Sequence, residues 1–358
     1  MVSDDPSAPG RWTFDSMLGR GVRTSGDGGT PGRQPARRSL KSRPSLSDSM
    51  FRGVSGTGGS LVLVIEVLIG VFLAYSAWPA LRKAGWSFLT TQTWNAEGGA
   101  FGIAAVVIGT ALIGLTAVVV AVPLALGTSL YISEYAPKRF QRILITLIDL
   151  MAAVPSVVFG LWGSYLFQWR VILPEARWLN DWFYWVPIFQ VDGINRSNPL
   201  TSLDSYSAST FVAGIVVGLM ITPIIGSIMR EAFGQAPLGE REGAYALGST
   251  RWAMIRAVVL PFGRGAIIGG TMLGLGRALG ETMAVLLIIS PVYHIQPHIL
   301  QSGTSSVSSL IALEFSESNQ FGISALMAAG LALFAITLLV NMLAAQIVAR
   351  SRSGASSD

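Results

Sequence analysis

The stretch "FGIAAVVIGTALIGLTAVVVAVPLALGTSLYI", Phe101 to Ile132, carries no charged residue from end to end. About 20 predominantly apolar residues are enough for a helix to cross the hydrocarbon core of a bilayer, so this run can span with length left for tilt or a kink. Five more runs read the same way: Leu61 to Leu81, Ile143 to Phe167, Thr210 to Met229, Ala266 to Ile289 and Phe321 to Ala349. Pro123, Pro155 and Pro223 lie inside these spans and predict kinks.

Composition agrees with an all-α integral membrane protein of six transmembrane helices. The chain is 51% hydrophobic and 13% charged, with mean hydropathy +0.53, whereas a soluble domain is about one quarter charged. It has no cysteine, which excludes disulfides, iron–sulfur clusters and thiolate zinc sites. Stability must therefore come from bilayer partition and helix packing.

Residues 1–57 are rich in Gly, Ser, Pro and Arg and have no apolar period, so they read as a disordered, basic cytoplasmic tail. A first apolar run placed after so long a tail reads as an uncleaved span rather than a signal peptide. Residues 58–350 form the transmembrane domain, and 351–358 a second short cytoplasmic tail. With the first tail inside, the inner segments hold nineteen Lys and Arg and the outer loops five, Arg277 alone lying within a span. That bias puts both termini of a multi-pass protein in the cytoplasm and explains the basic pI without a nucleic-acid partner.

The outer connection from about Gln168 to Ser209 carries Trp169, Trp178, Trp182, Tyr184 and Trp185, as suits an aromatic belt at the interface. His294 and His298 are four apart, but Pro297 argues against the helix that would align them on a metal, and no metal site is expected. No phosphate-loop motif or nucleophile–base arrangement is present, so nucleotide binding and covalent catalysis are not expected of this chain.

The inner segment 231–263 has helical character. Gly248 can end a short helix that starts near Gly239, and Thr250 can cap a second, along which Trp252, Ile255 and Val259 repeat. Across it run Glu242, Gly243, Ala244, Gly248, Val258, Leu260 and Pro261. This spacing resembles the E-A-A-x3-G-x9-I-x-L-P signature of ATP-binding-cassette importer permeases, with Gly for the first Ala and Val for Ile. The stretches "AAVPSVVFGLWG", "REAFGQAP" and "LGLGRALGETMAV" are similar to those of phosphate importer permeases of the PstC type. The resemblance covers residues 60–350 and leaves the tail outside.

The resemblance implies a type I importer permease fold and a non-catalytic subunit of an ATP-driven phosphate importer. It also implies a second permease of the PstA type, two PstB-type ATPase subunits that bind the ATP, and an extracytoplasmic PstS-type phosphate-binding protein. Glu242, Gly243, Ala244, Gly248, Leu260 and Pro261 then belong to a coupling segment that docks on the ATPase. A permease for another oxyanion, such as sulfate or molybdate, a passive anion channel and a membrane scaffold for phosphate signalling stay open as alternatives.

The expected fifth span, Ala266 to Ile289, places Arg277 near its midpoint. On one helix, Gly270, Gly274, Arg277, Glu281 and Ala284 form one stripe, with Met272, Leu275, Leu279 and Leu286 opposite. A central Arg costs about 2.5 to 3.5 kcal/mol on insertion scales, so it should face protein or water. Arg277 could pair with Glu281 one turn away, or supply positive charge to an anion path with Glu281 orienting it and Thr282 assisting. The resemblance favours the anion path, since the matching Arg and Glu of the family are associated with phosphate transport.

Overall fold

The computed structural model describes residues 46–194 and 202–352 of the chain. By internal contacts the chain divides into two units, Met1–Ser60 and Leu61–Asp358. Helix α1 (Leu46–Ala84) begins inside the expected N-terminal tail, whose residues 46–57 are helical. The rest of that tail, Arg196 and residues 353–358 lie outside the described residues.

After α1 come a helical turn, α2 (Ser87–Thr90), and a minimal antiparallel hairpin of β1 (Trp94–Asn95) and β2 (Ala100–Phe101). Phe101 is buried there, edge-on to Phe88, Trp94 and Phe321, and this closes one end of the bundle. Helix α3 (Ala104–Leu130) continues through a π-helical turn, Tyr131–Tyr135. Pro123 lies within α3 without ending it.

Pro155 does end a helix. Helix α4 (Lys138–Ala153) stops before it, and α5 (Ser156–Trp162) sets off after a bend of 91°. A π-helical segment, Gly163–Ile172, then joins α5 to α6 (Leu173–Phe183). The third expected span is therefore two helices, and the connection expected from Gln168 onward is helical as far as Phe183. The cause is local: proline lacks an amide donor, and its ring biases Val154 to the extended conformation seen there.

Helix α7 (Thr210–Gly234) runs unbroken through Pro223 and is followed by α8 (Leu238–Ala246) and α9 (Arg251–Met254). A π turn at Ile255–Val259 leads into α10 (Leu260–Leu279). Then come α11 (Met283–Leu286), α12 (Val307–Glu314) and α13 (Gln320–Arg352). Among the described residues five single helices, plus the pair bent at Pro155, are long and apolar enough to cross a membrane.

The core lies between α3 and α7. Ala117, Ala121 and Ala125, one turn apart, are fully buried against the cluster that contains Val217, Ile221 and Ile225. Small residues let backbones approach closely, which is the main source of helix attraction where lipid removes the hydrophobic drive. A second cluster joins α1, α3 and α13 through Ala77, Ala80, Val106, Ala325 and Ala329. Ser324 pins it, donating to the Ser76 carbonyl at 2.8 Å and accepting from the Ala80 amide at 3.2 Å.

Candidate functional site

The site begins where α10 ends. Gly280 follows Leu279 as the C-cap, Glu281 and Thr282 are non-helical, and α11 starts at Met283. The stripe expected from Gly270 to Ala284 on one helix therefore does not exist. The buried small-residue face is instead Gly263, Gly270, Gly274 and Ala278, with Gly270 and Gly274 set close against Ile225 of α7.

Arg277 and Glu281 diverge across this break, and no ion pair joins them among the described residues. Glu281 is buried. Its Oε1 accepts from the Ala284 amide at 3.2 Å, and its carbonyl accepts from Ser308 Oγ at 2.8 Å. Thr282 Oγ1 donates to the nearby Gly280 carbonyl at 3.3 Å. Both residues thus hold the broken backbone together, and among the described residues neither forms an ion pair with Arg277.

Arg277 is exposed in the last turn of α10, where the helix dipole favours a cation. It opens onto a cleft of about 420 Å³ that it lines with Leu273, Gly276, Ile224 and Asn341. Asn341, on α13, is exposed as well, and a Cβ at Gly276 would stand only 3.3 Å from its Oδ1. An arginine and an asparagine on neighbouring apolar helices thus share one opening. Sequence reasoning does not single out Asn341, although an amide within a long apolar run is a signal for it.

The run "GTSSVSS", Gly303 to Ser309, also escapes that reasoning. Thr304, Ser305, Ser306, Ser308 and Ser309 are all buried, with Thr110 and Thr210 beside them. Thr210 Oγ1 donates to Thr304 Oγ1 at 3.1 Å, Thr110 Oγ1 accepts from the Val307 amide at 2.9 Å, and Ser306 with Ser309 closes a capping box on α12. Five hydroxyl residues among seven, set between apolar segments, are a legible signal. Nearby, Tyr293 donates to Glu314 Oε1 at 3.0 Å. Burial first, then that bond and the Glu314 charge, push the phenol well above its usual pKa and keep it a donor.

Of the residues expected to couple, Glu242, Gly243 and Ala244 lie on α8 and Gly248 in the turn to α9, while Leu260 and Pro261 open α10. Gly248 has φ +81°, its amide bonds the Tyr245 carbonyl at 2.9 Å, and the Ser249 amide bonds the Ala244 carbonyl at 3.1 Å. These two bonds form a Schellman motif, which requires a residue in the left-handed region at the Gly248 position. Thr250 Oγ1 then accepts from the Ala253 amide at 3.2 Å, capping α9. Glu242 and Gly243 are exposed, Ala244 and Leu260 half-buried, and Pro261 is exposed in the first turn of α10. Of the expected repeat, Ile255 and Val259 are buried but Trp252 is 57% exposed, beside Leu238 at 69% and Leu247 at 89%. The hairpin therefore leaves three large apolar side chains open among exposed charges such as Glu240, Glu242 and Arg251.

Residues 121–353 match the family model described as "Binding-protein-dependent transport system inner membrane component". The chain belongs to that family. This permease is 38% identical over 326 residues to "Phosphate transport system permease protein PstC 2" of Mycobacterium tuberculosis, covering 90% of this chain and 98% of the relative. It is 35% identical to "Phosphate transport system permease protein PstC" of Pasteurella multocida, covering 85% and 92%. Among solved structures it shares the fold of a chain from a bacterial ABC transporter involved in alginate import, with TM-score 0.52, 15% identity and coverage of 84% and 99%.

The permease is an integral inner-membrane subunit and not an enzyme. Its candidate site separates into two parts: an Arg277–Asn341 cleft at the end of α10, and a hairpin whose π turn at Ile255–Val259 runs straight into that same helix. The two parts are therefore joined by one continuous helical segment, Arg251–Leu279.

Proposed function

We propose that this permease forms one side of an inorganic phosphate path in an ATP-driven importer. The observation that carries the reading is Arg277, exposed without an ion-pair partner among the described residues, in an open cleft with Asn341. A guanidinium gives directed donors to phosphate oxygens, and an amide adds a neutral donor that does not trap the anion. The phosphate assignment is supported by the names of the relatives.

An arginine open on the side of the bundle is costly against lipid, so the cleft fits the face of a second permease of the PstA type. The hairpin of α8 and α9 is the docking element for one of two PstB-type ATPase subunits, which bind the ATP, and it faces the cytoplasm along with both termini. A PstS-type binding protein delivers phosphate from the other side. Energy input is required because moving an anion into an inside-negative cell costs about 2.3 kcal/mol per charge per 100 mV.

The test is ATP-dependent uptake of labelled phosphate by proteoliposomes that hold the complete transporter, with excess sulfate or molybdate as competitors. Only unlabelled phosphate should suppress uptake. Equal suppression by sulfate or molybdate would overturn the substrate assignment.

A further inference from the structure

The coupling hairpin is fastened not only to the helices that flank it in sequence but also to the end of α3, more than a hundred residues away. Arg241 of α8 meets Glu134, with Nη1 at 3.1 Å from Oε1 and 3.2 Å from Oε2. The side chains are 17% and 5% exposed, so the contact is shielded from water, and losing either partner would strand a buried charge. Nη2 of Arg241 also donates to the Phe233 carbonyl in the last turn of α7. Ser133 Oγ steadies the carboxylate, donating to Oε1 at 2.9 Å.

The second short helix is attached at the same place. The Arg251 guanidinium, in the first turn of α9, lies 5.3 Å from the centre of the Tyr135 ring. Ser133, Glu134 and Tyr135 are three consecutive residues of the π turn that ends α3. One residue of each hairpin helix is therefore gripped by one end of the helix that forms the core with α7.

We propose that Ser133, Glu134 and Tyr135 form a socket through which the α8–α9 hairpin moves α3 together with α10. The inference rests on the reading that this hairpin docks on the ATPase, and it adds a second route for the motion. Without the socket the hairpin can drive only the elements continuous with it, α7 and α10, and α3 can lag behind them. Glu134 and Arg241 are then positioning residues for coupling, and touch neither phosphate nor ATP.

The experiment uses the complete transporter in proteoliposomes and measures phosphate taken up per ATP hydrolysed. The ratio is measured on complex re-isolated with its ATPase subunits bound, so that neither the amount surviving nor released ATPase moves it. Glu134→Gln removes the charge and keeps the shape, Arg251→Ala removes only the ring contact, and Leu247→Asp probes the docking face. Glu134→Gln is expected to leave the ATPase subunit bound and to lower the ratio about tenfold, with Arg251→Ala lowering it severalfold. Should Glu134→Gln fail to accumulate, Arg251→Ala decides by itself, since it leaves the buried pair in place. Unchanged ratios in the variants that accumulate would overturn the socket. If instead Leu247→Asp leaves the ATPase bound, the docking reading itself fails, whatever Glu134 does.

Discussion

Glu281 Oε1 accepts the Ala284 amide at 3.2 Å, so from the residue before the N-cap of α11 the carboxylate satisfies a first-turn amide of that helix. Leaving the buried Ala284 amide without its acceptor costs about 1–3 kcal/mol. Glu281→Gln keeps an acceptor oxygen and should retain most stability and uptake, while Glu281→Ala should lower both. Thermal unfolding of the purified complex, run alongside phosphate uptake, separates the two substitutions. Equal loss in Gln and Ala would show that the charge is needed, and would return Glu281 to the anion path.

Arg277 makes the opposite prediction. It is exposed and joins no ion pair among the described residues, so Arg277→Ala should leave the melting temperature nearly unchanged while cutting phosphate uptake at least tenfold. Arg277→Lys keeps the charge without the planar fork and should fall between. Asn341→Leu, across the cleft, should reduce uptake severalfold with assembly intact. Wild-type uptake in Arg277→Ala would make the arginine a packing residue.

Much of this is legible in the sequence, and what is not has a physical reason. The sequence starts a span at Thr210, and α7 begins there, because Ser209 before it caps the helix and a long apolar run follows. The kink expected at Pro155 is a 91° bend. The end of α10 is hidden because apolar content continues to Ile289 whether the backbone is helical or broken. What breaks it is Gly280 followed by residues that bond locally, Glu281 to Ala284 and Thr282 to Gly280. Asn341 and the hydroxyls from Thr304 to Ser309 escape notice since their neighbours come from helices distant in sequence, as when Thr110 meets Val307.

The hairpin separates two glycines that look alike in sequence. Gly248 needs φ +81°, a region that costs roughly 1–2 kcal/mol for a residue with a Cβ, so Gly248→Ala should loosen the Schellman motif and weaken ATPase retention. Gly243 sits mid-helix in α8 with nothing within 4 Å of an added Cβ. Gly243→Ala should therefore be tolerated and firm the helix by about 0.5–1 kcal/mol. Co-purification of the ATPase subunit with each variant is the measurement. Equal retention in both would mean that the turn does not set the docking geometry.

Gly109 provides the sharpest test of how α3 seats against the hydroxyl-rich segment. A Cβ there would stand 2.0 Å from the Ser305 carbonyl oxygen and 3.2 Å from Thr304 Oγ1. The nearer atom is backbone, held in a segment whose Ser305 Oγ accepts the Val292 amide at 3.0 Å and whose Thr304 amide donates to the Ser290 carbonyl at 3.1 Å. It cannot swing aside as a side chain would. Overpacking of this kind costs about 1–3 kcal/mol, and here it also pulls Thr110 away from the Val307 amide it accepts. Gly109→Ala should lower the melting temperature of the complex and reduce uptake. Gly127→Ala, on the same helix with open space around it, should do neither. Matching melting temperatures for the two variants would show that α3 can shift away from the segment without loss.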